Sequence, residues 1–210
     1  MKPTLPTLRL YRNPVSGHCH RVELFLSLLG LPFESIDVDL AQKQHKAPDF
    51  LAMNPLGQIP VLCDGELTLA DSNAILVYLE ARHAPGQWLP RDPVGAARVQ
   101  RWLSLAAGPL AFGPAAARVV QLFKLPTDPK DAIVRAEALL GLMEAELHRT
   151  PFLVGERATL ADLAHYAYVA RAPEGLVSLQ PYPAIRAWLA RIEALPGFVP
   201  MLKSPVGLAS

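Results

Sequence analysis

The sequence predicts a chain in two parts, a small α/β unit followed by an all-helical unit. Three observations carry that expectation. Up to about residue 83, short runs alternating with period two are interleaved with runs at helical spacing. The segment His83-Ala84-Pro85-Gly86-Gln87-Trp88-Leu89-Pro90 then interrupts the patterning, as a linker does. Beyond it strand signals vanish. The divisions expected are residues 1–83, a linker at 84–92, and 93–210.

Taken in order, Leu8, Leu10 and Tyr11 form a short strand-like run closed by Asn13-Pro14. Val22, Leu24, Phe25, Leu26, Leu28 and Leu29 follow at helical spacing and stop at Gly30. Residues 33–39 alternate as a half-buried strand, and a short polar helix is expected around 46–53. Ile59, Val61 and Cys63 alternate up to Asp64-Gly65, with Leu67 and Leu69 beyond it, which is a strong hairpin signal. Asp71-Ser72-Asn73 caps a helix carrying Ile75, Leu76, Tyr78 and Leu79. After the linker, helices are expected near 93–122, 129–148, 159–172 and 182–195. In the second of these, Ile133, Ala136, Leu139, Leu140, Met143 and Leu147 line one face. Thr159-Leu160-Ala161-Asp162 approximates a capping box, with Asp in place of the usual Glu.

The composition excludes several classes. Hydrophobic residues are 51% of the 210 and charged residues 19%, enough for a core and against disorder. Lys plus Arg number 20 against 19 Asp plus Glu, a net charge of +1, so neither nucleic acid nor an acidic membrane surface is an expected partner. Two cysteines make no disulfide scaffold. The N-terminal residues lack an apolar signal core, and the uncharged stretch between Arg101 and Arg118 is shorter than the roughly 20 residues of a membrane span and contains Pro109 and Pro114. A cytoplasmic location is the simplest expectation. His18, Cys19 and His20 are too tightly spaced for a metal site without a distant ligand pair, so no metal is expected.

Specific motifs sharpen this outline. Asn54-Pro55-Leu56-Gly57-Gln58-Ile59-Pro60-Val61-Leu62, followed by Leu69-Ala70-Asp71-Ser72-Asn73-Ala74-Ile75, resembles the glutathione-binding core of the glutathione transferase family. Ser16 through Leu29, including Arg21-Val22, resembles the first helix of its serine-type members, such as the theta and zeta classes. Thr159–Asp162 resembles the family's C-terminal capping motif. The resemblance spans nearly the whole chain. It implies a thioredoxin-like N-terminal domain, a helical C-terminal domain, a homodimer, and glutathione as co-substrate.

It also implies site residues. Ile59 would pair its main chain with the peptide as an added strand, and Pro60 would be a cis proline. Asp71 and Ser72 stand at a helix N-terminus, where unpaired N–H groups favour a carboxylate. By resemblance the γ-glutamyl carboxylate lies there and Asp71 faces its ammonium. His45 and Gln58 fall where the family contacts glutathione, with Lys46 as a neighbouring alternative.

Ser16 is the implied catalytic residue. Ser16-Gly17-His18-Cys19 occupies the turn that is Cys-x-x-Cys in thioredoxin-like redox proteins. A serine hydroxyl there donates to a bound thiolate. A free thiol with a pKa near 8.5 is only about 3% ionised at pH 7, and lowering it by two units needs about 2.7 kcal/mol. A hydrogen bond to a charged group supplies roughly 1.5–3 kcal/mol and the helix dipole up to about 1 kcal/mol. Tyr11 is the rival hydroxyl. The electrophile's pocket is expected between the domains, with Trp102, Leu105, Pro109, Phe112 and Arg118 as its helical wall. Two alternatives share the fold: a glutathione-dependent redox or isomerase activity using Cys19, and a non-catalytic glutathione carrier.

Overall fold

The computed structural model describes residues 8–204. Leu8 and Leu10 are buried with Arg9 exposed between them, the alternation that sets strand β1 (Leu8–Arg12). Helix α1 (Gly17–Leu28) starts where the Ser16 hydroxyl accepts the Cys19 N–H at 3.3 Å. It returns the chain to β2 (Phe33–Asp37), which pairs parallel with β1. A single 3₁₀ turn (Gln44–Lys46) and α2 (Pro48–Met53) precede β3 (Val61–Asp64) and β4 (Leu67–Ala70). The period-two alternation places Ile59 with Val61 and Cys63, but the ladder begins at Val61 because Pro60 has no N–H to give it. The Ile59–Pro60 bond is cis. The sheet order is β2-β1-β3-β4, with β3 antiparallel to both neighbours.

The two sheet faces have different fates. Leu8, Leu10 and Leu62 face α1 and α3 (Ser72–His83) and join the main core, which continues into the helical unit. Tyr11 and Val61 face the other way, onto α2, in a small cluster with Val38 and Phe50.

The helical unit opens with a continuous run from Pro93 to Leu122. Among the described residues it is the one helix long and apolar enough to cross a membrane on length and composition alone. Its Val99, Trp102, Leu103, Ala106, Leu110 and Ala117 are instead packed in the core. It consists of α4 (Pro93–Leu105), a wide π-helical stretch (Ala106–Ala115) and α5 (Ala116–Leu122). Pro109 and Pro114 lie in the wide stretch; each lacks an N–H and crowds the preceding turn, which a wider helix relieves. Helices α6 (Lys130–Leu147), α7 (Leu160–Ala170) and α8 (Pro183–Glu193) complete the unit.

The expected capping box is present at α7. Asp162 is fully buried and its carboxylate accepts from the Thr159 N–H at 2.8 Å, the Thr159 hydroxyl at 3.0 Å, the Leu153 N–H at 2.9 Å and the Trp188 indole at 2.9 Å. One side chain thus ties α7, α8 and the 150s loop together.

Candidate active site

A cleft of about 600 Å³ lies between the α/β unit and the helical unit. One wall comes from the α/β unit. The turn before α1 brings Val15, Ser16 and His18, and the 3₁₀ turn brings His45 and Lys46. The loop before β3 brings Asn54 and Leu56 through Pro60, and the start of α3 brings Asp71 and Ser72. The facing wall is Arg118, Val119, Leu122 and Phe123 from α5 and its end, with Tyr168 from α7.

Ser16 is at the mouth of α1. Its oxygen accepts from Cys19, so its own proton remains available to a ligand. The Tyr168 ring packs so closely on this turn that a Cβ at Gly17 would lie 2.8 Å from it, and only glycine fits. His18 packs edge-on against the same ring at 5.0 Å. Burial, helped by the Arg21 charge, pulls His18 down to about 3, so it is neutral at pH 7. Cys19 points into the core and burial pushes its thiol up to about 11. Tyr11 does not line the cleft; its ring packs against Phe50 on the far sheet face.

Asp71 caps α3, with its carboxylate accepting the Asn73 and Ala74 N–H groups at 2.9 Å each. That leaves its second oxygen and the Ser72 N–H open to the cleft. Ser72 is buried, and its hydroxyl accepts from Arg21 Nη1 at 3.2 Å. On the loop before β3, Asn54 donates to the Gln58 carbonyl at 2.7 Å, and the Ile59 main-chain N–H and C=O make no hydrogen bond among the described residues. Lys46 donates to the Leu56 and Gly57 carbonyls at 3.0 Å each, so it clamps this loop. Gly57 has φ +57°, and a Cβ there would meet the His45 carbonyl at 2.7 Å. One ring nitrogen of His45 is buried without a hydrogen-bond partner among the described residues.

The sequence and the fold are similar to those of known enzymes. Residues 6–81 match the family Glutathione S-transferase, N-terminal domain, and residues 111–196 match Glutathione S-transferase, C-terminal domain. Glutathione S-transferase 3 of Zea mays is 38% identical over 206 residues, covering 91% of this chain and 91% of its own. Glutathione S-transferase theta-2 of Homo sapiens is 34% identical over 200 residues, covering 90% of this chain and 82% of its own. A crystal structure of a glutathione S-transferase from Pseudomonas fluorescens superposes with a TM-score of 0.88 at 38% identity, covering 93% of this chain and 99% of that one.

The chain belongs to the glutathione transferase family.

Within this transferase the residues expected of the site divide in two. Ser16, His45, Gln58, Ile59, Pro60, Asp71 and Ser72 all line one cleft. Of the expected helical wall, Arg118 alone lines it. Trp102 is buried, edge-on to His165 at 5.3 Å. Leu105, Pro109 and Phe112 border a different, apolar hollow of about 450 Å³ against Arg135, Ala138, Leu139 and Leu142 of α6. The reason is helical phase: the wide stretch turns those side chains toward α6 and leaves the next segment, Val119–Phe123, facing the cleft. Arg118 itself is a structural clasp on the cleft wall. Its guanidinium pairs with Glu174 at 2.6 Å and donates to the Val15 carbonyl at 2.7 Å, beside Ser16. Sequence reasoning missed His18, Tyr168 and the set Val119, Leu122, Phe123. Only the last left a signal, its i, i+3, i+4 apolar spacing.

Proposed function

We propose that this cleft binds glutathione as an extended peptide and that Ser16 holds its sulfur as a thiolate for attack on a small, apolar electrophile. The observation that carries the reading is the Ser16 hydroxyl. Its oxygen is occupied by the helix it caps, its proton is free, and it opens on a cleft with a peptide-pairing edge and an apolar wall. The Ile59 main chain would pair with the peptide, Asp71 and Ser72 would take its amino-acid end, and His45 and Gln58 its glycyl end. Val119, Leu122 and Phe123 would receive the electrophile. The sulfur forms the new bond to carbon as the leaving group departs with its electron pair. The enzyme supplies orientation and a lowered thiol pKa.

Cys19 supports conjugation over disulfide exchange. A resolving thiol must reach the sulfur, and this one is buried and protonated at neutral pH. We also propose that residues 1–83 and 93–210 act as the two domains of a cytoplasmic homodimer. The apolar outer face of the helical unit, where Phe112 is 61% and Val134 64% exposed, suits burial against a second copy. The test is a panel of electrophiles and disulfides run with glutathione beside calorimetric binding. Conjugation of at least one apolar electrophile is expected. Disulfide reduction without any conjugation would overturn the reading.

A further inference from the structure

Two arginines in this protein are equally buried, each 1% exposed, and they are treated oppositely. Arg118 has the Glu174 carboxylate. Arg21 has no ion-pair partner among the described residues. Its Nη1 donates to Ser72 Oγ at 3.2 Å and Asn73 Oδ1 at 2.8 Å, both neutral, and its Nε and Nη2 have no partner among the described residues.

Such a cation is costly in a protein interior unless something meets it. The groups around it do not. Tyr168 and Cys19 are held protonated by burial, and His18, His20 and His165 are neutral at pH 7, each pulled down chiefly by burial, with the Arg21 charge adding to it and, at His20, the Arg171 charge before it. The carboxylate whose charge acts on it is that of Asp71, which is turned to the N–H groups of its own helix. Asn73 cannot turn away either. Its amide donates to the Leu103 carbonyl of α4 at 3.1 Å, which fixes its oxygen on Arg21.

The consequence falls on Ser72. A hydroxyl has one proton. With Arg21 donating to its oxygen, that proton points away from Arg21, toward the cleft. Resting on the glutathione-site reading above, we propose that Arg21 is a positioning residue of the peptide site. It sets the Ser72 hydroxyl as a donor to the ligand's α-carboxylate, and that carboxylate is the counter-charge that none of the described residues provides. The site then selects an amino-acid terminus: a carboxylate on Ser72 over the Arg21 charge, with the ammonium on the open oxygen of Asp71.

The test is the affinity of glutathione, and of the analogue whose γ-glutamyl α-carboxylate is a carboxamide, for the wild type, Arg21→Gln and Arg21→Lys. The wild type should prefer glutathione at least tenfold. Arg21→Gln should weaken glutathione at least tenfold, or 1.4 kcal/mol, and the carboxamide less than threefold. Arg21→Lys, which keeps the charge, should recover part of the loss. Turnover should show a raised KM for glutathione with an unmoved pH profile. Equal weakening of both ligands in Arg21→Gln would mark a merely structural arginine and overturn the inference. Should Arg21→Gln not fold, the wild-type ratio decides, and a preference below threefold overturns it. A wild type that binds neither ligand would instead sink the glutathione-site reading, and this inference with it.

Discussion

Replacing Ser16 with alanine removes two interactions that the structure separates. The first is the acceptor for the Cys19 N–H at 3.3 Å, the N-cap of α1. Losing such a cap costs about 1 kcal/mol, a drop of roughly 2–4 °C in Tm for a chain of this size. The second is the proton available to the glutathione sulfur. A hydrogen bond to a charged group contributes about 1.5–3 kcal/mol, which at 1.36 kcal/mol per unit is about 1–2 units of thiol pKa. The donor favours the ionised form, so its removal raises the pKa and the rate profile moves to higher pH. At pH 7 the rate should fall tenfold or more, a barrier change of about 1.4 kcal/mol. Near pH 9 the variant should approach the wild type. Glutathione affinity should change little, because the peptide contacts lie at Ile59, Asp71 and Ser72. Ser16→Asp separates the two roles. Aspartate caps a helix as well as serine does, but at neutral pH it has no proton to give and repels a thiolate. It should keep the wild-type Tm and lose more rate than alanine. The assay is kcat/KM for one active electrophile from about pH 5.5 to 10, beside thermal melts. A full-rate Ser16→Ala enzyme with an unmoved profile would refute the serine-type mechanism and pass the role to Tyr168, a hydroxyl residue of the facing wall, or to main-chain N–H groups.

Asp71→Ala combined with Ser72→Ala should weaken glutathione at least tenfold, about 1.4 kcal/mol; unchanged affinity by calorimetry would contradict the peptide-site assignment. Cys19→Ala should leave conjugation nearly intact, since its thiol is buried and pushed up to about 11, whereas loss of turnover would favour the redox alternative. His20 and His165 are buried with pKa values lowered to about 4 and about 3, burial being the larger cause. Between those values and the unfolded value near 6.5, the unfolded chain holds more protons. Stability should therefore be full above about pH 6.5 and decline as the pH falls toward 4, in urea titrations across that range; a flat profile would show that these rings are not held neutral. Light scattering at micromolar concentration should give the mass of two chains, and a single-chain mass would remove the dimer.

What was legible in the sequence follows the range of the interactions involved. The strands and α1 could be read because each writes its own pattern: Leu8 and Leu10 alternate, and Ser16 caps the helix whose apolar residues follow it. Much of the peptide side of the cleft was equally legible, because Asn54, Leu56 through Pro60, Asp71 and Ser72 fall within two short stretches. The facing wall was not. Its position depends on the phase of one long helix, and Pro109 and Pro114 widen ten residues of that helix. A wider turn uses more residues per turn, so a register counted forward from Trp102 at α-helical spacing selects Leu105, Pro109 and Phe112, which in fact face α6. Asp162 shows the same boundary inside one side chain. Thr159, three residues away, announced half of its hydrogen bonds; Leu153 and Trp188 supply the rest from outside the motif. Arg21 marks the limit. On an apolar helix an arginine reads as a side chain reaching for solvent. Its burial follows from Ser72 and Asn73, some fifty residues on, and from Leu103 beyond them, which holds Asn73 in place. No local pattern contains that triangle, because it exists only once the helical unit has docked α4 against the start of α3. An arginine whose nearest partners are neutral is therefore a feature to look for in the folded chain.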